Sequence, residues 1–296
     1  MDKTVGMIGL GIMGGAIARN LVEREWRVVG FDIDATRRGE LALAKVTIAK
    51  DIAQLTREAP IIMTSLPTPT AAEEVAQEIA ASAQSPKVVI ELSTLSLADK
   101  LRFDAILRRA GHVALDCPLS GTGAQARVRD LVVYASGDRG TIAKCMGLFA
   151  DFANQYADLG KFGNGSRMKF VANHLVAIHN VATAEAMLLA KRAGLDPRVV
   201  VDVVGPGAGG SRMFQLRAPM MVEGVYEPAT MKVSTWKKDM AIIAEFAEDV
   251  GCSTPLFTLT QPIYSDAMAM GLGDQDTASV FEVLKKTILK VPRAGA

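Results

Sequence analysis

Short β-branched runs alternate with helix-length amphipathic stretches through the first half of the chain. Thr4–Ile8, Arg27–Phe31, Ile61–Ser65, Val88–Glu91, His112–Asp116 and Leu131–Ala135 have the length and composition of buried strands. They lie too far apart in sequence for hairpins, and each gap is long enough for a helix. The pattern predicts parallel pairing, right-handed crossovers and helices covering both faces of one sheet.

After Gly160 the rhythm changes. Ser166–Ala193 contains neither proline nor glycine and is rich in Ala, Leu, Met and Lys, which predicts one long helix. Gly194 supplies a C-terminal cap, and Asp196-Pro197 reads as the next N-cap followed by a proline in the first turn. Thr235–Val250, Pro262–Met270 and Thr277–Lys290 carry helical spacing, while the glycine-rich Gly205–Ser211 segment reads as a loop. The punctuation at Gly160–Gly165 places a boundary there. The expected organisation is a doubly wound α/β domain over residues 1–162 and an all-helical domain over 163–296, joined by the long helix.

A length of 296 residues fits two domains better than one. Lys and Arg number 33 against 32 Asp and Glu, a net charge of +1, so the chain has no large basic field for nucleic acid or an anionic membrane. Cys117, Cys145 and Cys252 are odd in number and widely spaced, which suggests neither a disulfide framework nor a metal cluster. No basic leader with an apolar core opens the sequence, and no window has the length of a membrane span. A soluble protein of the reducing cytoplasm is the expectation.

Candidate chemistry begins directly after the first strand. Gly9-Leu10-Gly11-Ile12-Met13-Gly14 is a GxGxxG pattern opening an apolar helix. In such a turn the first glycine permits a tight bend and the second lets backbone approach a pyrophosphate. The third lets helix and strand pack closely, and the helix N-terminus attracts phosphate charge. This context makes the first half Rossmann-type, with Gly9, Gly11, Ile12, Met13 and Gly14 as cofactor contacts. Asp32, at the end of the second strand, can accept hydrogen bonds from adenosine ribose hydroxyls and repel a 2′-phosphate, favouring NAD over NADP. Alternatively, Asp32 or Asp34 merely caps the following helix. Arg37 and Arg38 suit a 2′-phosphate, which leaves NADP open.

The stretch from Gly9 to Asn20-Leu21 resembles the opening of the β-hydroxyacid dehydrogenases, the family of 3-hydroxyisobutyrate dehydrogenase and tartronate semialdehyde reductase. Further motifs match in order. Leu66-Pro67-Thr68-Pro69 resembles the family's loop beside the cofactor, Ser93-Thr94 its nicotinamide-side pair, and Asp116-Cys117-Pro118-Leu119-Ser120-Gly121 its substrate loop. Gly163-Asn164-Gly165 with Lys169 and Asn173 resembles the catalytic helix, and Lys238-Asp239 a pair from the helical domain. The resemblance implies cofactor contacts at Leu66, Pro67, Thr94 and Lys238, substrate contacts at Ser120, Gly121, Thr122 and Lys238, and catalysis by Lys169 and Asn173. Thr122, Gln125 and Arg129 stand where the family usually has further glycines, and Leu97 where it usually has proline.

Lys169 and Asn173 are four apart on the expected long helix and so share a face. Hydride transfer to a nicotinamide requires a base for the hydroxyl proton, and the reverse reaction an acid for the nascent alkoxide. One lysine with its pKa lowered toward working pH serves both directions. An isolated helical lysine is more commonly a solvated one, and the surrounding motif is what singles Lys169 out. Backbone N–H groups and hydroxyls of Ser120, Gly121 and Thr122 can hold a substrate carboxylate, a plain turn being the alternative. Arg127 and Arg129 are candidates for a second anionic group.

His174 and His179 fall on different helical faces without an acidic partner motif, which favours packing over metal binding. Trp236, Met213, Met220, Met221 and Met231 read as core or subunit contacts. The combined expectation is an NAD(P)-dependent oxidoreductase acting on a small 3-hydroxy acid or its semialdehyde, assembled as a homodimer or homotetramer. Its rivals are an imine reductase-like enzyme, which usually replaces the lysine, a phosphogluconate dehydrogenase, which carries a much larger helical domain, and a non-catalytic dinucleotide-binding scaffold.

Overall fold

The computed structural model describes residues 3–286. Its elements begin β1 (Thr4–Ile8), α1 (Ile12–Glu23), β2 (Arg27–Phe31), α2 (Ala35–Leu43), β3 (Thr47–Ile48), α3 (Ile52–Glu58), β4 (Ile61–Thr64) and α4 (Pro69–Ser82). They continue with β5 (Val88–Glu91), α5 (Leu97–Arg109), β6 (Val113–Asp116), β7 (Leu119–Ser120), α6 (Gly123–Arg127), β8 (Val132–Ala135), α7 (Arg139–Phe152) and β9 (Gln155–Asp158). The helical part comprises α8 (Asn164–Arg192), α9 (Pro197–Val204), α10 (Arg212–Glu223), α11 (Val233–Asp249), α12 (Pro255–Ala269), a 3₁₀ turn (Thr277–Ser279) and α13 (Val280–Lys286). Of the last expected helix, residues 287–290 lie outside the described residues. The chain divides into two compact units, the first ending at Phe170 and the second beginning at Val171, so the division falls within α8.

In the first unit, β3-β2-β1-β4-β5-β6 form one parallel sheet. Alternate residues of each strand enter different cores, as a period of two requires. Val5, Met7, Met63, Ile90 and Leu115 join the cluster containing Ile17, Leu21, Phe149 and Phe152. Ile8, Val29, Ile62, Val89 and Ala114 join the cluster containing Leu55, Ile79, Phe103 and Leu107. Both faces are covered, which is why these strands are near-continuous apolar runs.

One expected strand belongs elsewhere. Leu131–Ala135 appears as β8, which pairs antiparallel with β7 and parallel with β9 in a separate three-stranded sheet. The large sheet takes the two-residue β3 as its edge instead. β8 buries Val133 and Ala135 and leaves Val132 and Tyr134 half-buried, but in sequence its apolar run looks like those of its predecessors, so non-local pairing decides which sheet it joins. β3 is too short, and β9 too polar and exposed, to announce itself.

In the helical unit, Gly194 adopts φ +79° as the expected cap, and Asp196 accepts the Arg198 N–H. α12 begins at Pro255 and carries Pro262 inside it, whereas the sequence pattern starts the helix at that proline. Trp236 and Tyr264 are buried with ring centroids 6.4 Å apart. Asn180 Nδ2 donates to Tyr264 Oη and to the Thr277 carbonyl, both at 2.9 Å, and Arg217 lies 2.6 Å from Asp276. Among the described residues no helix is long and apolar enough to cross a membrane.

Candidate active site

A parallel sheet delivers the carboxyl ends of its strands to one edge, and the strand order reverses between β1 and β4. Ligands of open α/β sheets bind at such a switch point. Gly9 follows β1, Asp32 follows β2, Ser65-Leu66 follow β4, Ser93-Thr94 follow β5 and Cys117 follows β6.

Each glycine of the β1–α1 turn has its own reason. Gly9 adopts φ +89°, and a Cβ there would sit 2.2 Å from the Ser65 carbonyl oxygen. A Cβ on Gly14 would sit 1.9 Å from the Gly9 carbonyl oxygen. Gly11 is different: its nearest neighbour would be the Arg37 guanidinium at 3.5 Å, so the backbone here is left uncrowded. Gly11 is the N-cap of α1 and makes no side-chain cap hydrogen bond, which leaves the first-turn N–H groups to an anion from outside the helix. These features fit a dinucleotide pyrophosphate. Ile12 is exposed, and Met13 packs partly against the core.

The helix after β2 is capped by Asp34, which accepts the Thr36 and Arg37 N–H groups. Asp32 has another task. Its Oδ2 accepts the Leu10 N–H at 2.7 Å and its Oδ1 the Asp34 N–H at 2.8 Å, while Arg37 stands 3.5 Å from Oδ2. Arg38 donates to the Asp32 and Ile33 carbonyls. Asp32 is buried, and its carboxylate ties the glycine turn to the end of β2. The Leu66 N–H is bound by Ser93 Oγ at 2.8 Å, and Thr68 caps α4 ahead of Pro69. Pro67 and Thr94 lie on the turns after β4 and β5.

On the expected substrate loop, Gly121 adopts φ +135° beside Leu131. The Thr122 N–H donates to Gln125 Oε1 at 3.0 Å, and Gln125 Nε2 donates to Asp130 at 3.0 Å. Gln125 therefore engages the Thr122 amide as a cap for α6, and Ser120 and Gly121 carry the remaining backbone groups of the loop. α6 presses on α1: a Cβ on Gly123 would meet Ile12 at 2.3 Å, and Asn20 Nδ2 donates to the Ala126 carbonyl at 2.7 Å. The expected substrate loop and the glycine turn are thus neighbours within the first unit. Arg127 is exposed, and Arg129 lines a surface cavity with Asn154 and Tyr156.

The start of α8 is locked to the end of β6. Asp116 Oδ2 accepts the Ser166 N–H and Oδ1 the Ser166 hydroxyl, each at 2.8 Å, and Ser136 Oγ accepts the Gly165 N–H at 2.9 Å. A Cβ on Gly165 would sit 2.3 Å from the Tyr134 carbonyl oxygen, so only glycine allows this approach. Lys169 lies one turn further along α8 and is 7% exposed, far from the ordinary state of a helical lysine. In the helical unit, Asn173 is buried and donates to Asp239 Oδ2 at 3.3 Å. Lys238 Nζ lies 3.1 Å from Asp239 Oδ1. His174 stacks on Phe257 with centroids 5.3 Å apart.

The family model for the NAD-binding domain of 6-phosphogluconate dehydrogenase matches residues 4–160, and the model described as NAD-binding of NADP-dependent 3-hydroxyisobutyrate dehydrogenase matches residues 163–284. The chain belongs to the β-hydroxyacid dehydrogenase family.

Relatives of this β-hydroxyacid dehydrogenase chain are distant but extend over nearly its whole length. It is 28% identical to glyoxylate/succinic semialdehyde reductase 2, chloroplastic, of Arabidopsis thaliana, over 95% of this chain and 79% of that protein. It is 30% identical to the uncharacterized oxidoreductase YkwC of Bacillus subtilis, over 97% of this chain and 100% of that protein. A solved structure of Mycobacterium tuberculosis 3-hydroxyisobutyrate dehydrogenase with L-serine superposes with a TM-score of 0.87 at 25% identity, covering 96% of this chain and 100% of that one.

Sequence reasoning overlooked two kinds of residue in this β-hydroxyacid dehydrogenase chain. Gln125 was visible only as a departure from glycine, and its capping of Thr122 fits the spacing of a capping box. Lys100, Glu91 and Ser136 gave no signal, because their meeting depends on how separate βα units pack.

Proposed function

We propose that the protein transfers hydride between a nicotinamide dinucleotide and a small 3-hydroxy acid or the corresponding semialdehyde, with Lys169 as the acid–base residue. Membership of the family and the names of its relatives support the class. The observation that carries the assignment within this chain is the burial of Lys169 one turn beyond a helix start clamped by Asp116.

The bound nicotinamide supplies or accepts the hydride. Lys169 Nζ takes the hydroxyl proton as the alcohol becomes a carbonyl and returns it to the nascent alkoxide in the reverse direction. Asn173, one turn along the same helix, orients the substrate oxygen while Asp239 holds its amide. Ser120 and Gly121 bind the substrate carboxylate, joined by Thr122 through its hydroxyl and by Lys238, whose role is assigned by the family resemblance. Gly9, Gly11, Ile12, Met13, Gly14, Leu66, Pro67 and Thr94 line the dinucleotide, and Asp32 makes NAD the preferred form. Residues 1–162 form the dinucleotide-binding domain and also carry the substrate loop, and 163–296 carry the catalytic helix and serve assembly. Exposed Leu195, Val199 and Val203 on and beside α9, a helix with no buried residue, support a homo-oligomer.

The deciding experiment follows nicotinamide absorbance across small 3-hydroxy acids and semialdehydes with each cofactor. Lys169→Ala should lower turnover ~10²–10⁴-fold while dinucleotide binding survives. Near-normal turnover of that variant defeats the mechanism.

A further inference from the structure

Lys100 is fully buried, yet the chemistry above does not use it. It lies on α5, hydrogen-bonds Glu91 Oε2 and stands 3.1 Å from Asp116 Oδ1, and both carboxylates are also fully buried. Burial by itself favours the neutral amine. The two facing carboxylates outweigh it and hold the Lys100 pKa above the ordinary lysine value, so the ammonium persists. One cation against two carboxylates leaves one negative charge in excess, and the N-terminus of α8 answers it through the Ser166 N–H and hydroxyl on Asp116.

The other carboxylate points to a different part of the site. Glu91 Oε1 accepts the Ser93 N–H at 2.9 Å, and Ser93 Oγ accepts the Leu66 N–H at 2.8 Å, on the turn between β4 and α4. A single ammonium therefore joins two hydrogen-bonded chains: Glu91–Ser93–Leu66 on the cofactor side and Asp116–Ser166 at the root of the helix bearing Lys169. A salt bridge that served stability alone would not need both carboxylates to continue into turns of the site.

We propose that Lys100 is a positioning residue: through Glu91 and Asp116 it fixes the turn after β4 and the first turn of α8, and thereby the place at which Lys169 holds its proton. The inference rests on the reading of Lys169 as the acid–base residue.

The test uses the double variant Lys100→Met/Glu91→Gln, which keeps the charge of the cluster at one negative, together with Ser166→Ala and the combination of all three changes. Expected are amide hydrogen exchange at least about tenfold faster over residues 66–68 and 165–169, a kcat ~10- to 100-fold lower, and a displaced midpoint in the pH dependence of kcat. The losses from the double variant and from Ser166→Ala should combine less than additively, since both loosen the Asp116–Ser166 chain. A folded double variant with wild-type exchange in those segments, wild-type kcat and an unmoved pH profile overturns the proposal, as does strict additivity. Where the double variant does not fold, Glu91→Gln decides, since it weakens one arm of the Lys100 cluster: lowered kcat with faster exchange at Leu66 and unchanged Tm supports the proposal, and wild-type kcat with wild-type exchange refutes it. An active Lys169→Ala enzyme refutes the parent mechanism, whereas an inactive one beside a fully active Lys100 variant refutes only the positioning role.

Discussion

The Asp32 carboxylate accepts the Leu10 N–H at 2.7 Å, so the acid at the end of β2 and the glycine turn after β1 form one hydrogen-bonded unit. Asp32 thus places negative charge beside the turn, and Arg37, 3.5 Å away, partly offsets it. Turnover should favour NAD over NADP. Asp32→Asn keeps an acceptor for Leu10 and removes the charge, which should raise the kcat/KM ratio of NADP to NAD by about tenfold, corresponding to ~1.4 kcal/mol. Arg37→Ala should move the ratio the other way. Steady-state kinetics with both cofactors check the pair, and a wild type that prefers NADP would contradict the role given to Asp32.

Gln125 holds the Thr122 N–H and reaches Asp130, so it fixes the shape of the loop expected to bind a carboxylate. Gln125→Ala should raise the KM for the hydroxy acid about fivefold, in line with the ~1 kcal/mol value of a lost cap, and leave dinucleotide affinity unchanged. Equal weakening of substrate and dinucleotide would argue that the residue supports the whole unit.

At Gly165 a methyl group would come 2.3 Å from one carbonyl oxygen and 2.6 Å from another, those of Tyr134 and Asp116. Gly165→Ala must therefore displace the root of α8. It should cost on the order of 1–3 kcal/mol and lower kcat as well as Tm. Thermal unfolding together with kcat measures both effects, and an unchanged Tm would mean the helix start yields more easily than its contacts imply.

His112 is buried, and its Nδ1 accepts the Lys87 N–H at 3.3 Å. Burial, helped by the Lys87 ammonium, lowers its pKa below the ordinary histidine value. The unfolded chain then binds a proton that the folded chain refuses. The contribution of His112 to stability is complete above about pH 6.5 and is lost as pH falls from there through the folded pKa. His112→Asn, which keeps an acceptor, should flatten the decline of Tm between about pH 7 and pH 5. A wild-type Tm insensitive to pH in that window would refute the assignment.

Much of the candidate site was legible before folding because its parts are local. Gly9, Gly11 and Gly14 owe their identity to one turn, and Lys169 and Asn173 to one helix, so spacing along the chain is enough to mark them. The capping of α2 was ambiguous in sequence, since Asp32 and Asp34 are both acids near its start; the hydrogen bonds give the cap to Asp34 and tie Asp32 to Leu10. β8 was legible as a strand but not as a member of the smaller sheet, because the residues that pair with it lie beyond α6 and α7.

The sequence by itself determined the alternation of strands and helices, the glycine turn after the first strand, the long helix and the identity of the residues with reactive side chains, all of which follow from periodicity, backbone preference and chemistry within a few residues. The tertiary structure decided which distant groups share a buried volume. Lys100 carries no signal in the sequence, and it gains a role only where α5 packs over the ends of β5 and β6 and Glu91 and Asp116 enclose it. A charge can persist in such a place only beside compensating charges, and where those come from is a property of packing that no stretch of the chain contains alone.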